Sequence, residues 1–134
     1  MDKRSLAVLD ASVGVKWLKR EAGSEDAIAL LRQHRDRDVT LVVTSHFVYE
    51  LLGVAVRHGG PVLGRKTWEH LREAGLTVVG LDDELASAAF EQCEALGCSL
   101  HDALAPGLAR VLGAPLYSAD ARAHGRYEEV RLIG

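Results

Sequence analysis

The sequence predicts an α/β fold, a single domain over residues 1–134 with a parallel sheet covered by helices on both faces. Three observations carry this expectation. Short apolar runs alternate along the chain with longer stretches of helical periodicity. The apolar runs are continuous, as in Leu6-Ala7-Val8-Leu9 and Leu41-Val42-Val43, whereas a sheet with one wet face would alternate apolar and polar residues. The composition, 48% hydrophobic and 26% charged, is that of a globular protein. A chain of 134 residues buries roughly 68% of its unfolded surface, so it needs neither a disulfide nor a structural metal.

The elements follow in order. Leu6 to Leu9 reads as a buried strand, and Asp10 or Ser12 can cap a helix beginning near Val13, with Trp17 and Leu18 on its inner face. Ser24 is expected to cap a second helix carrying Ala27, Ile28, Leu30 and Leu31. Leu41 to Val43 is a second strand. A third helix places Phe47, Leu51, Val54 and Ala55 at helical spacing and stops at Gly59-Gly60, where Pro61 opens another that runs to Gly75. Thr77 to Val79 forms a third strand. A helix from Asp82 or Asp83 to Leu96 closes at Gly97, and His101 to Leu112 is helical by pattern. Pro115 to Tyr117 and Val130 to Ile133 complete five strands.

Several function classes drop out. The run Leu6 to Leu9 is too short for a signal peptide or a membrane span, which points to the cytoplasm. Cys93 and Cys98 lack the further nearby ligands a zinc site wants and read as ordinary thiols. His34, His46, His58 and His70 fall at intervals of twelve, but their flanks do not match, so they make no repeat. The net charge of −3 does not advertise nucleic-acid binding. If four acids hold cations, fifteen acids remain against sixteen basic residues, a nearly neutral surface.

Four acids fall where such a fold builds a site. Ligands of parallel sheets bind beyond the carboxyl ends of the strands. Asp10 directly follows the first strand and Asp120 comes just after the fourth. Glu50 lies about one turn into the helix after the second strand, and Asp102 begins the helix before the fourth. Taken singly, each has a plain structural reading: Asp10, Asp102 and Asp120 as helix caps, Glu50 on an exposed helix face. Together they are demanding, because two carboxylates about 4 Å apart repel by roughly 4 kcal/mol at an effective dielectric near 20. Hard oxygen donors favour Mg²⁺ or Mn²⁺. A cation so held binds a phosphate oxygen and activates water, which is the chemistry of phosphodiester hydrolysis.

The segments Val8-Leu9-Asp10-Ala11-Ser12, Glu50, Ser99-Leu100-His101-Asp102-Ala103-Leu104-Ala105 and Leu116-Tyr117-Ser118-Ala119-Asp120, in this order and spacing, resemble a PIN domain, the nuclease family that includes the VapC toxins. The resemblance covers essentially the whole chain. It implies a five-stranded parallel sheet and a Mg²⁺- or Mn²⁺-dependent endoribonuclease. Asp10 and Asp102 match the positions most directly linked to metal, and Glu50 and Asp120 those that complete the pocket. Ser12 and Ser118 match supporting hydroxyls. It further implies a homodimer held in check by a small antitoxin protein whose tail enters the active-site groove. Two departures stand out. Ala105 replaces a common aromatic residue, and Pro106 sits in the first half of a predicted helix, where it can kink the chain unless the helix begins later and places it in the tolerated first turn.

Lys16 and Arg20 after Asp10, and Arg122, His124 and Arg126 after Asp120, are candidates for contact with RNA phosphates, against the plain reading of a charged surface. His46, Tyr49 and His101 border the expected groove, and Trp17 and Trp68 read as core or dimer residues. Two other functions remain open at this level, a PIN-type nuclease of RNA processing and a non-catalytic α/β interaction domain. A receiver domain is disfavoured, since no acid adjoins Asp10 and no lysine follows Lys66.

Overall fold

Each apolar run becomes a strand, and all five strands join one parallel sheet in the order β3-β2-β1-β4-β5. The computed structural model describes residues 5–134. The strands are β1 (Ser5–Leu9), β2 (Val39–Thr44), β3 (Thr77–Val79), β4 (Leu116–Ser118) and β5 (Val130–Leu132). The helices are α1 (Ala11–Leu18), α2 (Ser24–Arg35), α3 (Ser45–Ala74), α4 (Asp83–Leu96), α5 (Leu100–Leu112) and α6 (Ala121–His124).

The continuous apolar runs have a direct explanation. On β1, Ala7 and Leu9 enter a core with Val13, Leu30, Phe47 and Leu51 of α1, α2 and α3. Val8, between them, enters a second core with Leu85, Leu108 and Ala109 of α4 and α5. β2 divides the same way, with Leu41 and Val43 on one face and Val42 on the other. Both faces are therefore dry, and each buried Leu contributes roughly 1.5–3 kcal/mol. No helix among the described residues is long and apolar enough to cross a membrane.

The strand order creates a crevice. From β1 the chain crosses to β2 on one side, and β4 returns to the other side of β1, so the connections leave β1 and β4 in opposite directions. The carboxyl ends of those two strands flank the gap where open α/β sheets bind ligands.

One helix boundary differs from expectation and one agrees. Ser24 is the first residue of α2, not its cap; the cap is Gly23 at φ 86°, a left-handed conformation that glycine adopts freely. The Ser24 hydroxyl instead accepts from the Glu21 amide at 3.0 Å and donates to the Lys19 carbonyl at 3.2 Å. The break at Gly59-Gly60 is present inside α3: Gly60 has φ 71° and ψ −173°, and the helix resumes at Pro61.

The kink expected at Pro106 gives way to a continuous helix, since α5 runs through it from Leu100 to Leu112. Proline removes the amide that would bond to the carbonyl four residues back, that of Asp102. That carbonyl accepts instead from His124 Nε2 at 2.6 Å. The next residue, Gly107, lets α5 approach α4 closely, because a Cβ there would stand 3.0 Å from the Ala89 backbone.

Candidate active site

The four acids reach the carboxyl edge of the sheet by three local devices. Asp10 and Asp120 are N-caps: Asp10 Oδ2 accepts from the Ser12 amide at 3.0 Å and Asp120 Oδ1 from the Ala123 amide at 3.1 Å. Capping uses one oxygen of each carboxylate. Asp102 lies in the first turn of α5, its amide donating to the Ser99 hydroxyl at 3.2 Å. Glu50 lies in the second turn of α3, exposed at the mouth of the site. The positive end of a helix dipole favours an acid in the first turn, so Asp10, Asp102 and Asp120 fit their helix starts on electrostatic grounds alone.

Links between elements then relate the acids pairwise. Asp10 and Glu50 line the same cleft, with His46, His101 and Leu104 between them. The Ser12 hydroxyl accepts from the Ala119 amide at 2.9 Å, spanning the crevice between β1 and β4 and holding Asp10 beside Asp120. The Ser118 hydroxyl accepts from the Asp120 amide at 3.0 Å and contacts His124 Nδ1 at 2.6 Å. The other nitrogen of His124 meets the Asp102 carbonyl. The fourth side is closed by two histidines: the His46 and His101 rings lie 4.7 Å apart, and His46 Nε2 stands against Glu50 Oε1 without hydrogen-bonding geometry.

Burial raises the pKa of the Cys98 thiol, and the charges of Cys93, Asp102 and Asp120 raise it further. Both acids thus lie close enough to Cys98, just before α5, to act on it.

The donor set fits a hard divalent cation, being four carboxylates with serine hydroxyls behind two of them. Among the described residues, however, no three His, Cys, Asp or Glu side chains stand together as a ready ligand group.

The basic residues divide. Arg20 and Arg122 are exposed. Lys16, expected on the surface, is buried; its ammonium donates to the Ala22 carbonyl and pairs with Glu21 at 3.3 Å. Arg126 is exposed, but its guanidinium donates to the Leu96 carbonyl at the end of α4. His124, grouped with these arginines in the sequence, is fully buried. Trp17 is a core residue, its indole donating to the Ala27 carbonyl at 2.9 Å, while Trp68 is about half exposed.

Beside the acids lies an apolar groove of about 250 Å³, lined by His46, Tyr49, Leu81, Phe90, Leu100 and Leu104 among others. Tyr49, Leu81, Phe90 and Leu100 are exposed, an unusual concentration of apolar surface.

A parallel α/β sheet with acids at its switch point defines a class. A family model for the PIN domain matches residues 7–129, and the chain belongs to that family. No curated protein matches the sequence. Among solved structures, VapBC2 from Rickettsia felis, bound to a DNA fragment from their promoter, superimposes with a TM-score of 0.76 at 12% identity, covering 96% of this chain and 99% of that one. The sarcin-ricin-loop-cleaving toxin VapC20 of Mycobacterium tuberculosis has a TM-score of 0.71 at 17% identity, covering 93% and 98%. A toxin–antitoxin complex from Klebsiella pneumoniae gives 0.74 at 12%, covering 93% and 95%. At these identities the likeness is one of fold.

Proposed function

We propose that this PIN domain is a Mg²⁺- or Mn²⁺-dependent endoribonuclease acting as the toxin of a VapBC-type pair. The observation that carries the reading is the Ser12–Ala119 bond across the β1–β4 crevice, with one acid on each bank. Asp10 and Asp102 are the proposed principal metal ligands, with Glu50 and Asp120 completing the set. A divalent cation there supplies a Lewis acid for a phosphate oxygen and a lowered pKa for bound water. The chain's own part is to hold the carboxylates at fixed places before substrate arrives. Ser12 and Ser118 fix the backbone after β4, and the α1 and α6 starts fix the Asp10 and Asp120 side chains. Arg122 is exposed and offers a charge for RNA phosphates, and Arg20 does so through an exposed pair with Glu25 at 3.6 Å that solvent screens; Lys16 and Arg126 are held by backbone carbonyls.

The toxin assignment draws on the toxin–antitoxin structures that share the fold. The apolar groove beside Glu50 and His101 suits the tail of an antitoxin protein, which could bury Tyr49, Leu81 and Phe90 while covering the acids. A homodimer in the cytoplasm is part of the same reading, and exposed Val56, Val62 and Trp68 on α3 are surface that a second copy could cover.

The test is cleavage of total RNA with Mn²⁺ and with chelator, by the wild type and by Asp10→Asn. Cleavage should need the metal and fall roughly 100-fold in the variant, equivalent to about 3 kcal/mol of the several a bound cation contributes. Cleavage in chelator, or cleavage unaffected by the substitution, would refute the mechanism.

A further inference from the structure

Pro106 and His124 make sense only together. Residue 106 has no amide hydrogen, so the Asp102 carbonyl lacks the partner four residues on that α5 would otherwise give it. A buried carbonyl left in that state costs about 1–3 kcal/mol. His124 comes from the far side of the crevice, on α6, with its ring fully buried, and its Nε2 lies 2.6 Å from that oxygen.

A carbonyl only accepts, so Nε2 carries the hydrogen. In that tautomer Nδ1 accepts, and it is met at 2.6 Å by the Ser118 hydroxyl, which donates to it. The same hydroxyl oxygen accepts from the Asp120 amide at 3.0 Å. The chain of bonds therefore runs from the Asp102 carbonyl through the imidazole and the Ser118 hydroxyl to the Asp120 amide. Both ring nitrogens and the hydroxyl are satisfied, and Ser118 is as completely buried as His124.

The ends of this chain are the backbones of two proposed metal ligands that no other contact joins so directly. We propose that His124 is a positioning residue that sets the separation of Asp102 and Asp120, and that Pro106 is its counterpart, freeing the carbonyl on which the imidazole acts. This rests on the metal-binding reading of the acids. An apolar residue at 124 could fill the space, but it would leave the Asp102 carbonyl bare and Ser118 without its acceptor. The start of α5 would then be free to drift from the end of β4. The ordinary alternative is that His124 is only a core residue, in which case its removal lowers stability and leaves ligand geometry alone.

Four proteins separate these cases: wild type, His124→Ala, Pro106→Ala and the double variant, with His124→Gln as the conservative change. The readouts are Mn²⁺ affinity by calorimetry, unfolding temperature in chelator, and the imidazole ¹⁵N shifts of the metal-free wild type. The shifts should report the Nε2–H tautomer. His124→Ala should remain folded and bind Mn²⁺ roughly 10- to 100-fold more weakly, the usual loss for groups that orient ligands. Pro106→Ala restores an amide that takes the Asp102 carbonyl but no link to Ser118, so the double variant should regain unfolding temperature while its Mn²⁺ affinity stays low. Glutamine can donate from the position of Nε2, so His124→Gln should stay within about 3-fold of wild type, and it carries the comparison if the alanine variant does not fold.

Wild-type affinity in a folded His124→Ala protein overturns the proposal. So does a double variant that regains wild-type affinity, one no better than His124→Ala in unfolding temperature, or an Nδ1–H tautomer. If the wild type binds no Mn²⁺, the metal reading itself fails. Positioning then stands or falls on the tautomer and on whether Pro106→Ala offsets the His124→Ala loss of unfolding temperature in chelator.

Discussion

Asp10 has two roles that a single substitution separates. One oxygen caps α1, and the charge is what the proposed cation needs. Asparagine caps about as well as aspartate, so Asp10→Asn should leave the unfolding temperature nearly unchanged while cleavage falls; measuring both on one preparation shows whether the acid is more than a cap. Cys98 reports on the same site from below. Its raised pKa comes from burial first, then from Cys93, Asp102 and Asp120. A raised pKa means less thiolate at a given pH. In a Cys93→Ala background, Cys98 should therefore react more slowly with a disulfide reagent at pH 8 than a free cysteine does; a reaction as fast as the free thiol would contradict that environment. The sequence made the four acids visible because each stands next to a strand end or a helix start. It did not make His124 visible. A histidine between Arg122 and Arg126 looks like surface charge, and the clue to its burial lies in Pro106, which frees the carbonyl of Asp102, twenty-two residues before the histidine. Lys16 was misread for a related reason, since a lysine on an amphipathic helix usually reaches water, whereas this one is held by Glu21 and the Ala22 carbonyl.

The helix elements show where local chemistry decides and where tertiary contact does. Gly59-Gly60-Pro61 breaks α3 as the sequence indicated, because Gly60 adopts a backbone conformation that other residues rarely reach. No atom would crowd an added Cβ there, so the cost of Gly60→Ala is conformational. It should destabilise the protein by about 1–3 kcal/mol in urea unfolding, and no loss would mean the bend can relax. α5 teaches the opposite lesson. Pro106 signalled a kink, but Ser99 caps the helix, Gly107 seats it against Ala89, and His124 takes the freed carbonyl, so packing and one long-range hydrogen bond override the local preference. Ser24 was misplaced by a single residue because a glycine in a left-handed conformation can begin a helix without any side-chain cap.

For the molecule as a whole, continuous apolar strands were enough to indicate a parallel sheet with two dry faces. The strand order was not legible, since no local feature says that β4 lies beside β1. That order puts a crevice between the end of β1, which leads to Asp10, and the end of β4, which leads to Asp120. The nearness of Asp10 and Asp120 is therefore a property of topology, and in the proposed centre the two would share one ion. The most direct test is to locate that ion. Crystals soaked in Mn²⁺ and measured by anomalous scattering should show density at the mouth of the β1–β4 crevice, within bonding distance of Asp10 and Asp102 oxygens. Density elsewhere, or none at saturating Mn²⁺ with the crevice open to solvent, would contradict the proposed centre.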